Sequence, residues 1–345
     1  MAERSYFDWN ATAPLRPEAR TALAEAAQLP GNPSSVHAEG RAARHAVEAA
    51  REQVAALVGA QPGDVFFTSS GTEANMLALT PAIEVDAGNG PRTRLLISAI
   101  EHVSVRAGGR FPPEAIEELP VGADGRLELA ALKTAVARCP RALVSVMLAN
   151  NETGVIQPVA EAAAIVHAAD GLLHVDAVQA AGRIECDIAA LGADLMTLSA
   201  HKIGAPKGVG ALIRRGEDIR LAEPLIRGGG QERGVRAGTE NVAGIAAFGA
   251  AAAAARDLRE IDAERMLGLR ARLEAGLREV LPTAVIFGAE AERLPNTTLF
   301  AGPGMKAETA VIAFDLEGIA VSSGAACSSG KVQPSHVLAA MGVPP

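Results

Sequence analysis

The chain is poor in the features that mark exported, membrane-embedded or nucleic-acid-coating proteins. It has three cysteines in 345 residues, Cys139, Cys186 and Cys327. An odd number at wide spacing suits neither a disulfide framework nor a zinc knuckle, and a reducing cytoplasm is the simplest home. Aromatic residues make up only 3% of the chain, with one Trp and one Tyr, so the core must be built from aliphatic side chains and alanine. No uncharged apolar run is long enough to span a bilayer; the longest, around residues 245–255, reads as a buried or half-buried helix. The N-terminal Met-Ala-Glu-Arg-Ser-Tyr-Phe-Asp is charged and has no apolar segment of a secretory signal. The formal net charge of −8 argues against general nucleic-acid binding. No metal site is predicted.

What is present is an alternation. Short apolar runs ending in polar residues lie at 65–68, 95–98, 142–148, 172–176 and 194–199, and several lead into helical patterns such as 159–169. Continuous apolar strands alternating with helices predict a mostly parallel sheet covered on both faces. After about residue 240 the texture changes to a long helical pattern over 250–280. Short strands at 285–287, 297–300 and 320–322 and a helix at 307–317 follow. The expected architecture is α/β: a large domain, residues 15–250, with a mostly parallel sheet sandwiched by helices. Residues 1–14 and 251–345 form a smaller α+β domain.

In open α/β sheets ligands sit beyond the carboxyl ends of the strands, so the polar residues there come first. The segment 68–73, Thr-Ser-Ser-Gly-Thr-Glu, opens a helix after a strand. It is either a phosphate cradle of free helix amides or an ordinary Ser/Thr cap. His102 follows another strand and could stack on a planar cofactor or stand in solvent. Asn150-Asn151-Glu152-Thr153-Gly154 reads as a turn unless a ligand lies beside it. Asp176 ends a buried apolar run, where a carboxylate needs a partner; a pyridinium nitrogen and a capped helix are both possible partners. The strongest local signal is Ser199-Ala200-His201-Lys202 before a Gly/Pro-rich loop. There are only five lysines among 32 Lys and Arg, so a lysine directly after a strand is poorly explained as solubilising charge. It fits the lysine that holds the aldehyde of pyridoxal phosphate (PLP) as a Schiff base, with Ser199 and His201 as phosphate donors. The glycine-rich segment 228–239 is either a flexible lid or an anion site, with Thr239 capping the following helix.

Taken together, these segments resemble the class V aminotransferase family of fold-type I PLP enzymes, and within it the NifS/IscS-type cysteine desulfurases. The matching pieces run from 8–14 and 31–37 through 68–75, 101–102, 150–154, 174–179, 199–210 and 228–239 to 322–329. The resemblance implies that Lys202 carries the cofactor and that Asp176 pairs with its ring nitrogen. It implies that Gln179 bonds the ring hydroxyl, that His102 stacks on the ring and relays protons, and that Asn151 lies near the ring hydroxyl and the substrate carboxylate. Gly71, Thr72, Ser199 and His201 would hold the phosphate, with Thr239 supplied by the other subunit of a homodimer. Cys327, among small residues, matches the long catalytic loop of the NifS/IscS group. Its thiolate would take sulfur from L-cysteine, leaving L-alanine and a persulfide for an acceptor such as an iron–sulfur scaffold or a tRNA-thiolation relay. Other class V activities, selenocysteine lyase or aminotransferase, and a non-catalytic docking protein of this fold are the alternatives. The family's Ser-x-Arg-x-Ser strand, whose Arg clamps the substrate carboxylate, has no counterpart before Pro345. The resemblance therefore implies poor turnover by these 345 residues.

Overall fold

The computed structural model describes residues 4–85, 90–324 and 334–344. The elements in chain order are β1 (Ser5–Tyr6), α1 (Pro17–Ala26), α2 (Ala38–Leu57), β2 (Val65–Thr68), α3 (Gly71–Ala78), β3 (Ile83–Val85), β4 (Leu95–Ser98) and α4 (Val103–Arg106). Then come β5 (Ile116–Leu119), α5 (Leu129–Arg138), β6 (Leu143–Met147), α6 (Val159–His167), β7 (Leu172–Asp176), β8 (Leu195–Ser199), β9 (Gly210–Arg214) and β10 (Ile219–Leu221). The chain continues with α7 (Val242–Val280), β11 (Val285–Ile286), β12 (Phe300–Ala301), α8 (Ala307–Leu316), β13 (Ile319–Ala320) and α9 (His336–Ala340).

Seven strands form the main sheet in the order β2-β9-β8-β7-β6-β4-β5. Strands β4 to β8 are mutually parallel, and only β9 runs against its neighbours β2 and β8. An antiparallel β9 leaves β2 pointing the same way as β8. The carboxyl ends of β2, β4, β6, β7 and β8 therefore share one edge, and the segments that follow them meet there.

Side chains alternate between faces along a strand, and the two faces differ sharply. Val144, Val146, Leu173, Val175, Met196 and Leu198 point to one side, into a core completed by α1, α2, α5, α6 and the start of α7. Leu143, Leu172 and Leu195 point to the other, toward α3 and α4. The register pairs Ser145 with His174, His174 with Leu195 and Asp176 with Thr197. All the polar residues of β6, β7 and β8 thus lie on the α3 side.

Helix α7 is 39 residues long and begins at Val242, earlier than the expected 250. Its first third is buried, with Phe248 edge-on to Phe67 at 6.2 Å between ring centroids. The alanines of 246–255 let this part lie close to the sheet with little side-chain entropy to lose. Beyond Ala255 only Glu274 is buried, held by Arg293 at 2.9 Å and Thr298 at 2.9 Å. Strand β1 pairs in parallel with β13. Among the described residues no helix is long and apolar enough to cross a membrane.

Cys186 is 1% exposed and burial pushes its thiol up to about 12, while Cys139 is half-buried. One sequence expectation is corrected here. The cap of α7 is not Thr239 but Asn241, whose side chain accepts from Gly244 N–H at 3.1 Å; Thr239 is exposed. Asn241 prevails because it sits directly before the first helical residue, where a short side chain can reach the free amides.

Candidate active site

The site begins with the turn from β2 into α3. A helix start leaves its first amides without intrahelical acceptors. The Ser70 hydroxyl serves one of them, taking Glu73 N–H at 3.1 Å, while the Ser70 carbonyl takes the first turn's i→i−4 bond from Ala74 N–H at 3.0 Å. The amides of Gly71 and Thr72 remain for an anion. Glycine is required beside them. A Cβ on Gly210 would lie 2.4 Å from the carbonyl carbon of Ser70 and 2.8 Å from Gly71 N. A Cβ on Gly71 would come within 3.1 Å of the Ser199 side chain. Glu73, whose charge would oppose a phosphate, is bonded to Ser69 N–H at 2.9 Å and to Arg236 at 2.9 Å. This second bond ties the glycine-rich 228–239 segment to the same turn.

Just beyond β8 lie His201 and Lys202. The imidazole is pushed down to about 4, first by burial and then by the charges of Lys202 and Lys207. It is therefore neutral near pH 7 and keeps one N–H to donate. Its Nδ1 lies 3.1 Å from Thr12 Oγ1. Lys202 Nζ donates to the carbonyls of Asn10 and of Ala11, the latter at 3.0 Å. Asn10 is a hub that the sequence reading left without a role. Its carbonyl also accepts from Gln179 Nε2 at 3.0 Å, and its side chain bonds Asn151 O at 3.1 Å and Thr297 Oγ1 at 3.0 Å. The Gln179 Oε1 accepts from Arg183 at 2.6 Å, and Arg183 is itself buried. The 150–154 turn is a real turn: Asn150, not Asn151, bonds its backbone, accepting Glu152 and Thr153 N–H at 2.9 Å each. Asn151 is half-buried beside it.

At the end of β7, Asp176 is 6% exposed. One carboxylate oxygen accepts Val178 N–H at 3.0 Å and the other accepts Asn75 Nδ2 at 2.9 Å. Asn75, on the inner face of α3, also reaches Ser104 Oγ at 2.9 Å and takes the Thr197 hydroxyl at 2.6 Å. His102 begins α4 with its Nδ1 2.8 Å from Ser104 Oγ and 3.2 Å from Ser104 N. Burial holds the His102 ring below its usual imidazole range, opposed by Asp176 and aided by Lys202 and His336. Asp176 and Lys202 thus both lie within electrostatic reach of His102. Glu101 is fully buried, accepts Met147 N–H at 2.6 Å, and leaves its other oxygen without a partner. Burial, reinforced by Asp176, pushes its carboxyl well above the usual range.

The structure therefore brings Gly71, Thr72, Ser199, His201, Lys202, Asp176, Gln179, Asn151 and His102 to one edge of the sheet. Thr239 is the exception, exposed and making no bond to the others. Cys327 lies outside the described residues. Glu152 stands between the flanks of that segment. Ser335 Oγ donates to Glu152 Oε2 at 2.5 Å, and a Cβ on Gly324 would come within 2.7 Å of the same oxygen. Sequence reasoning missed Asn10, Asn75, Ser104, Thr197 and Arg183. The only signal for them was membership in, or nearness to, the segments around 8–14, 68–75, 101–102, 174–179 and 199–210.

The donor set fits a phosphate attached to a planar cationic ring. Two free amides and the neutral donors Ser199 and His201 suit the anion, and a buried carboxylate suits a ring cation. A lysine beside them suits an aldehyde. Comparisons with known proteins agree. The family model for aminotransferase class V matches residues 5–343. A cysteine desulfurase of Cereibacter sphaeroides is 44% identical over 99% of this chain and 88% of its own length. The X-ray structure of a NifS-like protein from Rickettsia africae is 37% identical with a TM-score of 0.89, covering 99% of this chain and 91% of that one. The structure of SspA in complex with cysteine is 26% identical with a TM-score of 0.78, over 98% of this chain and 94% of that one. With the carboxyl-edge constellation and a match that runs almost from end to end, the chain belongs to the class V aminotransferase family.

Proposed function

We propose that the protein is a PLP-dependent cysteine desulfurase that converts L-cysteine to L-alanine and retains the sulfur as a persulfide on Cys327. The observation that carries this reading is the convergence of Lys202, Asp176 and His102 beside the open amides of Gly71 and Thr72. The names of the relatives and the cysteine bound to SspA support the substrate.

Lys202 would carry the cofactor, Asp176 would face its ring nitrogen, Gln179 and Asn151 its ring hydroxyl, and His102 its ring face. Gly71, Thr72, Ser199 and His201 would hold its phosphate, joined by Thr239 of a second copy in a homodimer. When bound, PLP supplies an electron sink that makes the Cα proton of an amino acid acidic. The amine of Lys202 takes that proton and can return it. The thiolate of Cys327 attacks the sulfur of cysteine. The bond between that sulfur and Cβ breaks with its electron pair going to carbon, which takes up a proton to become the methyl group of alanine. The sulfur stays on Cys327, from which an acceptor thiol on an iron–sulfur scaffold or a tRNA-thiolation protein can collect it. The free thiols of Cys139 and Cys186 support a reducing compartment, the cytoplasm. The pairing of β1 with β13 supports grouping residues 1–14 with 251–345 as a smaller domain.

The test is incubation with PLP, L-cysteine and a reductant. Equal amounts of alanine and sulfide are expected. A keto acid in place of alanine would mean transamination, and neither product would mean a docking role.

A further inference from the structure

The hydrogen bonds around Asn75 run in one direction only. Thr197 has one hydroxyl proton, and it goes to Asn75 Oδ1 at 2.6 Å. The amide group of Asn75 is thereby turned with its two N–H bonds toward Asp176 Oδ2 and Ser104 Oγ, both at 2.9 Å. Ser104 Oγ is therefore an acceptor on that side, and its own proton is left for His102 Nδ1 at 2.8 Å. The backbone N–H of Ser104 points at the same nitrogen from 3.2 Å. With two donors facing it, Nδ1 has no room for a proton of its own. Asn75 is 1% exposed, Thr197 0% and Ser104 7%, so water does not compete for these bonds. Turning the Asn75 amide over would set its oxygen against the Asp176 carboxylate, and a proton on His102 Nδ1 would face the Ser104 N–H.

We infer that Asn75 and Ser104 are positioning residues that hold His102 as the neutral ring protonated on Nε2, with its orientation locked to Asp176. This rests on the reading of the site as a PLP site, and it sharpens the part His102 plays there. The ring presents an Nε2–H hydrogen-bond donor to the reacting centre rather than a cation. An imidazolium would need a proton on Nδ1, where Ser104 already offers two. The charged and titratable groups that face the ring from the surrounding elements are Asp176 after β7, Lys202 after β8 and His336 on α9. Asp176 alone among them favours a cation, and its Oδ2 is engaged by Asn75.

The test reads the ring directly, in protein free of cofactor. The chain is labelled with 15N-histidine, and the His102 signals are assigned by their loss in His102→Gln. At pH 7.5 the wild type is expected to show a protonated Nε2 and a bare, hydrogen-bonded Nδ1. Ser104→Ala and Asn75→Ala should move the Nδ1 signal downfield, toward that of a free imidazole nitrogen, and Ser104→Thr should restore it. In the loaded enzyme the two alanine variants should lose between about tenfold and about a hundredfold in kcat with little change in KM. A proton on Nδ1 in the wild type, or an imidazolium at that pH, overturns the inference without any variant having to fold. An Nδ1 signal that stays put in both alanine variants overturns it too. Alanine release separates the two readings. A protein with the expected ring that yields no alanine keeps this inference and loses the desulfurase, while an active one with Nδ1–H does the opposite.

Discussion

The two faces of the seven-stranded sheet are built from the same strands and do opposite work. On one face Val144, Val146, Leu173, Val175, Met196 and Leu198 meet the helices with no polar side chain from β6, β7 or β8 among them. On the other, Ser145, His174, Asp176, Thr197 and Ser199 follow one another toward the carboxyl edge; Ser145 bonds His174, and α3 supplies Asn75 to bind Asp176 and Thr197. The apolar face gives non-directional burial, which tolerates volume-conserving change. The polar face gives directional bonds that must all be satisfied, which costs stability but fixes where each proton and charge lies. His174 shows the cost. It is fully buried, bonded to Ser145 at 2.8 Å with its Nε2 unpartnered, and burial pushes it down to about 4. It is held neutral two residues below Asp176.

If this division is right, substitutions at the carboxyl edge should remove chemistry while sparing the fold, and substitutions on the apolar face should do the reverse. The largest effect is expected at Lys202→Ala and Cys327→Ser, each abolishing alanine formation. Cys327→Ser should keep the yellow absorbance of bound cofactor, because a serine hydroxyl is not ionised near neutral pH and is a poor nucleophile toward sulfur. Mass spectrometry for a sulfur adduct, alongside alanine release, checks both. Wild-type alanine production by Cys327→Ser would end the proposed mechanism.

Phe248→Ala tests the other face. It removes a fully buried ring stacked edge-on to Phe67 and should cost about 3–5 kcal/mol of stability. Cofactor absorbance should be intact below the unfolding transition. Urea unfolding measures the first and a spectrum the second, and a bleached but undestabilised protein would erase the distinction between the faces.

Glu152 gives a smaller, pH-dependent effect. Burial pushes its carboxyl up to about 7, with the Ser335 hydroxyl pulling the other way. A raised folded value means that the native state holds its proton longer than the unfolded chain does. The associated stability is full below about pH 4.5 and is lost as pH rises through 7. Glu152→Gln cannot lose a proton there. Relative to wild type it should gain stability across that window, by up to about 3 kcal/mol at pH 8 and almost nothing at pH 4.5. Thermal melts at several pH values would reveal a parallel pair of curves if the assignment is wrong.

The smallest expected effects belong to Cys139→Ser and Cys186→Ser. Neither should alter alanine release or the site of the sulfur adduct. Cys186→Ser places a hydroxyl where a buried thiol lies 3.5 Å from Ile184 O and should cost about 1 kcal/mol in urea unfolding. An adduct on either cysteine would sink the choice of Cys327.

Much of this was legible along the chain. Residues 65–68, 95–98 and 172–176 match their strands residue for residue, because strands buried on both faces read as largely apolar runs. Strand β9 was hidden: Gly210 doubles as the end of a glycine-rich loop, and its antiparallel course leaves no helix after it to mark it. Strand β5 was hidden by Glu117 and Glu118, charges that an edge strand can carry.

The sequence by itself determined the class of protein and the chemistry available to it. Lys202 after an apolar strand, Asp176 at the end of another and small residues opening α3 are local patterns, set by backbone propensity and burial within a few residues. Only the tertiary structure decided how that chemistry is held. Asn75 meets Asp176 across 101 positions and Thr197 across 122, and Lys202 meets Asn10 across 192. Nothing near Asn75 in the chain distinguishes it from an ordinary polar residue on a short helix. Hydrogen bonds depend on distance and direction in space, so the role of such a residue exists only once the sheet has brought its partners to the same edge.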